Sequence, residues 1–509
     1  MLNSSEKMSP HNYKSIMKNL KYIFLLAVLA SAGCKKSYED LQINPNQPAT
    51  APPSLIFQGI LNDMFDDCWN SNIVMRYSQF HLCNYNYYGN NEYNWTTSNF
   101  DFYTLSNVAK MEEEAQKLSG TDNPYAALGK FFRAYFSIRM SMKFGDIPFS
   151  EALQGLENTT PAYDSQKEVF VTSLNMLEEA NDLIATAIAK NDNSLQGDIF
   201  LDNDLMKWQK VINTYKLRVL VHLSKHADDS DLNVKGRFAE VLNNPSVFPI
   251  MESLDDNMAY TYNGSTNTYP TNPGEAGKDA GRYNHSDTYL GLLVDLHDPR
   301  TFIVADPAPA KLAQGYTPAD FEAYVGAPAG EGLDDMTFKM GNGEYSPINQ
   351  ARYYSSFVGP ERCIQIGYAE LCFNIAEAIN RGWVAGDAGN WYAKGITASM
   401  NFYGITDVAA YLAQPAVAYK GNNNDGLTQI LTQKYLAFFQ NSGWEAFYNH
   451  RRTGIPEFNV GPGTGNGERI PKRFQYPASE RTTNKTNYDA AVSGQFGDDD
   501  INAEMWLLK

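Results

Sequence analysis

The sequence predicts a mainly α-helical protein whose helices are interrupted by one long irregular insert. Three observations support this fold class. Apolar residues recur at three- and four-residue spacing in several long stretches, capping signals stand at helix starts, and a segment rich in Tyr, Asn, Gly and Pro separates two helical regions. With 19% charged and 43% hydrophobic residues among 509, the composition is that of a globular chain.

One helix is predicted to organise the rest, between Pro124 and Gly145. Asn123 can cap its start, and Pro124 takes the first helical position, where a missing N–H does no harm. Arg139 falls among apolar residues, where we expect a structural ion pair or a snorkelling side chain. Because the helix is apolar around most of its girth, it must be covered on more than one side. Its apolar positions are Leu128, Phe131, Tyr135, Ile138 and Met142, widened by Tyr125, Phe132, Phe136 and Met140.

Other helices are predicted from the same periodicity. The helix after Ser165 begins with a capping box, because Glu168 follows three residues later. Paired helices of this length suggest a solenoid of the tetratricopeptide type, although the consensus repeat signature is absent. The predicted spans are 55–76, 105–118, 167–190, 205–226 and 362–383.

The N-terminus is predicted to be a targeting segment. Lys14, Lys18 and Lys21 precede the apolar run 22–30, which is too short to span a bilayer as a helix, and small residues lead to Cys34. A cysteine directly after Ala-Gly resembles a lipobox, so we expect Cys34 to be acylated; the alternative is a soluble secreted protein. The predicted division is a signal peptide at 1–33, a tether at 34–54 and one domain at 55–509.

Several motifs resemble one family in its own order. FFRAYFSIRMSMKFGDIPFSEALQG (131–155), TPAYDSQKEVF (160–170) and RCIQIGYAELCFNIAEAINRGW (362–383) are similar to SusD/RagB-like lipoproteins. These are surface nutrient-binding partners of TonB-dependent transporters in Bacteroidetes. The resemblance covers nearly the whole mature chain. It implies a tetratricopeptide-like helical scaffold, an outer-membrane location at the cell surface through a lipid anchor, and a SusC-like transporter as partner.

The stretch HLCNYNYYGNNEYNW (81–95) is the first candidate ligand site. Tyr85, Tyr87, Tyr88 and Trp95 stand among amides and a glycine without helical periodicity. Rings beside amides can stack on a sugar or an extended peptide and hydrogen-bond to it. The alternative is a loop that its aromatic residues pin to the core. In the resembled family, aromatic residues after the first helices contribute to the ligand site, which favours the functional interpretation.

The irregular insert supplies the second candidate site. It is predicted over 244–360, between a helical-repeat part at 55–243 and a C-terminal helical part at 361–509, and a long irregular segment is usually functional or mobile. Within it, Arg282, Tyr283 and Asn284 combine a charge, a ring and an amide. Ordinary loop packing is the alternative interpretation of these three residues.

The sequence predicts no catalytic residue, metal site or cofactor. It lacks the nucleophile elbow, the Walker loop, the zincin motif and the dinucleotide fingerprint. His222 and His226 are four residues apart on a helix but lack a third ligand. Glu370 and Glu377 share a helix face, where we expect helix-to-helix hydrogen bonds rather than catalysis. A glycoside hydrolase stays open, because its two carboxylates can lie anywhere in a sequence.

The net charge and the cysteines limit the possible partners and disulfide bonds. A net charge of −17 argues against a nucleic-acid partner. Cys363 and Cys372 are predicted on one helix, too far apart to bridge, and hence as free thiols. Whether Cys68 and Cys83 pair stays open.

The sequence therefore predicts a non-enzymatic lipoprotein that captures an oligomeric nutrient and delivers it to a SusC-type transporter. The ligand is expected to be an oligosaccharide, with an oligopeptide as the alternative. A surface glycoside hydrolase and a helical scaffold that binds only proteins are the competing functions.

Overall fold

The computed structural model describes residues 50–65, 73–85, 89–277 and 280–509. Over these residues the protein is mainly helical, with 19 α-helices and three short two-stranded sheets, as the sequence predicts. None of the described helices is both long and apolar enough to cross a bilayer. The predicted signal peptide, Cys34 and most of the tether lie outside the described residues.

The first half consists of helices that pack against their neighbours in the chain. Helix α3 contacts α4, α4 contacts α5, and α5 contacts α6. The predicted single helix over 55–76 is wrong, because Phe65 takes an extended conformation and ends the first helix. The helices are α1 (Pro53–Met64), α2 (Ile73–Tyr77), α3 (Phe102–Ser119), α4 (Pro124–Phe144), α5 (Gln166–Ala189), α6 (Leu205–His222) and α7 (Val234–Asn243).

Helix α4 is buried on nearly all sides, as its composition requires. The Asn123 side chain accepts a hydrogen bond from Ala126 N at 3.0 Å and caps the helix start. Gly145, with a φ of 96°, ends the helix, and the Ser141 hydroxyl donates to Gly145 O at 2.8 Å. Helices α3 and α5 cover two of its sides, so α4 forms the centre of the first half.

Short strands tie the irregular insert to both helical parts. All three pairs are antiparallel: β1 with β5, β2 with β3, and β4 with β6. The strands are β1 (His81–Cys83), β2 (Ile147–Pro148), β3 (Tyr163–Asp164), β4 (Met258–Tyr260), β5 (Tyr283–His285) and β6 (Cys363–Ile366). The insert also forms short helices, namely α8 (Asp287–Asp295), α9 (Thr301–Val304), α10 (Pro309–Ala313), α11 (Leu333–Gly341) and α12 (Gln350–Tyr353).

The C-terminal part corrects two expectations about cysteines. Cys363 lies on β6 rather than on a helix, and it is disulfide-bonded instead of free. Cys83 and Cys372 are free and buried, so Cys83 does not pair with Cys68. The helices here are α13 (Tyr368–Asn380), α14 (Ala388–Phe402), α15 (Ala409–Leu412), α16 (Asn424–Ala437), α17 (Glu445–Thr453), α18 (Glu480–Thr483) and α19 (Lys485–Gln495).

A buried ionic network joins the two helical parts. Arg218 of α6 donates from Nε to Glu370 of α13 at 2.6 Å. Arg452 of α17 grips Glu377 of α13 with two hydrogen bonds of 2.5 and 2.9 Å. Although burial alone would raise it, the Arg452 guanidinium holds the pKa of Glu377 well below its ordinary value. Both glutamates thus make the predicted helix-to-helix bonds. The network comprises Arg218, His222, Glu370, Glu377, Lys434, Glu445, Asn449 and Arg452.

Removing one charge from this network should destabilise the fold strongly. Glu377 is 0% exposed, so Glu377→Gln leaves the Arg452 guanidinium buried without a counter-ion. We expect the free energy of unfolding to fall by about 3–5 kcal/mol. The matched control is Asp489→Asn, which breaks the exposed pair with Lys485 and should change stability by less than about 1 kcal/mol. Urea unfolding checks both, and equal effects would contradict the role of the network.

Two buried histidines face each other across the β1–β5 pair. His81 and His285 are register partners, and their ring centroids lie 5.0 Å apart. His285 Nε2 is bonded to Val304 O at 3.0 Å, whereas neither ring nitrogen of His81 has a hydrogen-bond partner among the described groups. Burial lowers the pKa of His285 to about 4, and burial together with His285 holds the pKa of His81 well below 6.5. Both rings are therefore neutral in the folded protein at neutral pH.

This pair should make the fold sensitive to acid. The folded pKa values lie below the unfolded ones, so the stabilisation is complete above about pH 6.5 and is lost as pH falls towards 4. In His81→Leu, one of these groups no longer titrates. Between pH 7.5 and pH 5 the variant should lose about 2 kcal/mol less unfolding free energy than the wild type. Urea unfolding at both pH values measures the difference, and parallel pH profiles would contradict the prediction.

Candidate ligand-binding face

The β1–β5 pair brings the two candidate segments together. Cys83 is the register partner of Tyr283, and Asn84 N donates to Arg282 O at 3.0 Å. The segment that follows β1 and the one that precedes β5 are therefore neighbours, although they are far apart in the sequence. Tyr85 directly follows Asn84 in the segment after β1.

The loop that begins at Tyr85 is fixed at both ends. The Cys83 thiol donates to Tyr85 O at 3.1 Å and lies 3.6 Å from Gly89 O. Arg76 of α2 donates to Asn90 O at 2.6 Å. The Asn91 side chain bonds to both the N–H and the carbonyl of Cys83 at 2.9 Å. Hydrogen bonds to α2 and β1 thus hold both ends of this loop.

Tyr85 and Phe338 form an aromatic face at this end of the molecule. The Thr337 hydroxyl of α11 donates to Asn84 O at 2.6 Å, so the segment that carries Tyr85 and the helix that carries Phe338 are in contact. Tyr85 is 48% exposed and Phe338 is 70% exposed. Rings that are so exposed contribute little to the core, and they are available for stacking on a ligand.

A tyrosine cluster includes Cys83 of β1, two residues before Tyr85. Tyr262 and Tyr269 meet edge to face with ring centroids 5.1 Å apart. Gly359, with a φ of 73°, closes one side, because a Cβ there would lie 2.3 Å from the Tyr269 ring. Phe357 and Val358 stand exposed beside this contact, where Tyr269 N donates to Phe357 O. The cluster consists of Cys83, Tyr262, Tyr269, Ala280, Tyr283, Ile348, Tyr353, Tyr354 and Cys363.

Two ion pairs lie near the aromatic face. Glu331 accepts a hydrogen bond from the Tyr345 hydroxyl at 2.6 Å and forms an ion pair with Lys339 of α11. Arg352 donates from Nε to Glu361 at 2.8 Å below the same loops. Such pairs neutralise one another, so this environment suits an uncharged ligand better than a strongly charged one.

Trp95 is a correction to the predicted platform. It is 1% exposed, and its ring stacks on Phe474 with centroids 4.3 Å apart and planes 7° apart. Its large apolar ring is removed from water in the core, so it offers no free face to a ligand. A signal for this was present in the sequence, because Tyr93 and Trp95 alternate with polar residues over 92–96, as one buried face of an extended segment does.

Tyr283 and Asn284 are also buried and do not reach the surface. Tyr283 belongs to the tyrosine cluster, and the Asn284 amide donates to His285 O within β5. Arg282, at the edge of β5, is half-buried. Tyr87 and Tyr88 lie outside the described residues and stay predictions. Phe338 was missed because an isolated Phe in a short polar helix carries no distinctive sequence signal.

The histidines considered as metal ligands have structural partners. His222 Nε2 lies 2.8 Å from a Glu445 carboxylate oxygen. His226 Nε2 lies 2.9 Å from Trp506 O, and its ring stacks on the Trp506 indole with centroids 3.9 Å apart. Among the described residues, no group of three or more His, Cys, Asp or Glu side chains is placed to hold a metal ion.

Comparison with known proteins identifies relatives of this chain. Residues 45–477 match the family model SusD-like_2, described as starch-binding and associating with the outer membrane. Two SusD homologues from Bacteroides fragilis are each 33% identical to this chain, with TM-scores of 0.81 and 0.78. Each match covers 90% of this chain and 100% of the homologue. A chitin-binding SusD homologue from Flavobacterium johnsoniae shares the fold at 21% identity, a TM-score of 0.72 and coverage of 90% and 98%. No curated protein matches the chain.

Because Trp95 is buried and Tyr85 is half-exposed, removing the first ring should lower the free energy of unfolding much more than removing the second. Trp95→Ala should lower the free energy of unfolding by about 3–5 kcal/mol, because it leaves a cavity beside Phe474. Tyr85→Ala removes a half-exposed ring and should change it by less than about 1 kcal/mol. Urea unfolding checks both, and a Trp95→Ala protein of wild-type stability would contradict the core assignment.

Proposed function

Because the chain belongs to the SusD-like family of nutrient-binding outer-membrane proteins, we propose that it binds an oligomeric glycan at the cell surface without altering it. In this proposal it delivers the glycan to a SusC-type TonB-dependent transporter. Acylated Cys34 anchors it to the outer membrane and leaves the folded part free to meet both ligand and transporter.

The observation that carries the proposal is the aromatic face. Tyr85 and Phe338 are exposed on two segments that a hydrogen bond joins. Sugars have apolar C–H faces that stack on such rings, and their hydroxyl groups bond to nearby amides and main-chain groups.

A glycan is favoured over an oligopeptide by the charges. A peptide of the kind that RagB-type relatives take has charged termini, which call for unpaired charges of opposite sign near the site. The carboxylates and cations named beside the aromatic face neutralise one another, as Glu331 and Lys339 do. The family description and the Flavobacterium johnsoniae homologue together suggest starch-like or chitin-like oligomers as the first ligands to test.

A hydrolase is disfavoured by how the buried carboxylates are used. Glu370 and Glu377 are held by arginines, and a glycosidase needs one carboxyl with a raised pKa opposite a second in a cleft. Burial raises the pKa of Asp146 to about 6, with further contributions from Glu168 and Asp164. Its carboxylate accepts a hydrogen bond from Gln166 N at 2.7 Å and so caps the start of α5.

Titration calorimetry with maltoheptaose and chitohexaose tests the proposal. The double variant Tyr85→Ala/Phe338→Ala should weaken binding of the preferred oligosaccharide by about tenfold, because each lost stacking contact contributes about 0.5–1.5 kcal/mol. The matched control is Tyr103→Ala, which removes a 77% exposed tyrosine from α3 and should leave binding unchanged.

Two results would overturn different parts of the proposal. Unchanged affinity in the double variant would show that the ligand binds elsewhere. Shorter products, found by chromatography after incubation with the pure protein, would show that the protein is an enzyme. Binding of a peptide panel but of no saccharide would assign the oligopeptide alternative.

A further inference from the structure

A cleft separate from the aromatic face lies along one side of α14. Its volume is about 530 Å³, within the usual range for small-molecule sites. One wall is a stripe of α14 side chains at helical spacing, with small alanines leaving room between them. The opposite wall is the loop 252–255, and Tyr368 stands where α13 begins. The α14 residues that line it are Asn390, Ala393, Lys394, Thr397, Ala398 and Asn401.

The polar side chains of this stripe have no role in holding the fold. Among the described groups, Asn390, Thr397 and Asn401 make no side-chain hydrogen bond, and all three are at least partly exposed. Asn380 and Asn449 behave differently, since Asn380 donates to the Tyr419 hydroxyl and Asn449 accepts from Lys434. The stripe thus presents amide and hydroxyl groups that remain available to a ligand.

The opposite wall is held rigidly. Lys210 of α6 forms ion pairs with Glu252 at 2.6 Å and Asp256 at 3.1 Å, and Glu252 N donates to the Asp256 carboxylate at 2.7 Å. Ser253 caps the next turn by accepting from Asp255 N. Because these bonds fix the loop, the cleft is formed before any ligand arrives.

Tyr368 adds a ring to the cleft. Its N–H donates to the Asn257 side chain at 2.8 Å. The half-buried Tyr368 side chain lines the cleft. Lys394 of α14 also lines the cleft, and its ammonium group lies 4.3 Å from the centroid of the Trp391 ring.

We propose that this cleft is a second, independent saccharide-binding site. Two amides, a hydroxyl and the carboxylates of the loop supply both donors and acceptors, which is what the neighbouring hydroxyls of a sugar require, and the Tyr368 ring can cover an apolar sugar face. The inference rests on the proposed glycan-binding function, but the site is distinct from the aromatic face.

The two sites lie at opposite ends of one strand pair. Strands β4 and β6 run from Tyr260 and Cys363, beside the tyrosine cluster, to Met258 and Ile366, next to Tyr368. Strands of three or four residues are about 10–13 Å long.

Calorimetry with maltotriose and chitotriose, which are short enough to occupy one site, tests the second site. The wild type should bind two molecules of the preferred trisaccharide per chain, and Thr397→Arg, which fills the cleft, should bind one. Asn390→Ala/Asn401→Ala leaves the cleft open and should weaken binding at this site by about tenfold. The matched control is Thr186→Arg on α5, an exposed threonine far along another helix, which should still bind two.

The outcomes separate the two proposals. One molecule bound per wild-type chain, with affinity unchanged in both cleft variants, would overturn the second site and leave the proposed function standing. The second site would be supported if both cleft variants lost or weakened the same one of the two binding events and the Tyr85→Ala/Phe338→Ala variant weakened the other. If neither trisaccharide nor their longer oligomers bind to the wild type, the glycan-binding function and the second site both fall.

Discussion

The arrangement of the whole protein depends on the ionic network between α6, α13, α16 and α17. Burying a guanidinium or a carboxylate costs several kcal/mol unless a partner with good geometry compensates for it. Glu370 and Glu377 satisfy this condition with arginines from two different helices, so α13 has one favourable position between them. A displacement of any of these helices would leave at least one charge buried without its partner. The network therefore fixes the first helical part against the C-terminal part.

The same interaction reaches the ligand-binding end through a short strand. Arg218 donates not only to Glu370 but also to Gln365 O on β6. Strand β6 pairs with β4, and the end of this pair enters the tyrosine cluster, which includes Cys83, two residues before Tyr85. Loops in a helical protein are ordinarily its most mobile parts. Here the irregular insert is tied to the most constrained helices by strands of only three or four residues, and this allows its exposed rings to keep a defined position.

Helical periodicity in the sequence predicts the fold better than it predicts the site. The spans of α3, α4, α5 and α6 follow from apolar spacing and capping signals, because those signals act over one or two turns. The pairing of Glu370 with Arg218 does not follow, since it joins residues 152 positions apart and depends on tertiary packing. The start of α13 was misplaced for a related reason: Cys363 and Ile366 fit an apolar helix face as well as they fit a buried strand.

The misassigned platform shows why aromatic composition alone is a weak guide to binding. Tyr85 and Trp95 stand in one Asn-rich stretch, yet one is half-exposed and the other stacks inside the core. The difference arises from the backbone: the segment that contains Trp95 is extended and turns alternate side chains inward, whereas Tyr85 leaves β1 at a turn that the Cys83 thiol holds. Whether a ring can contact a ligand depends on how much of its surface the fold leaves exposed. That criterion excludes Trp95 and Tyr283, and it selects the half-exposed Tyr85, the exposed Phe338 and the exposed amides of α14.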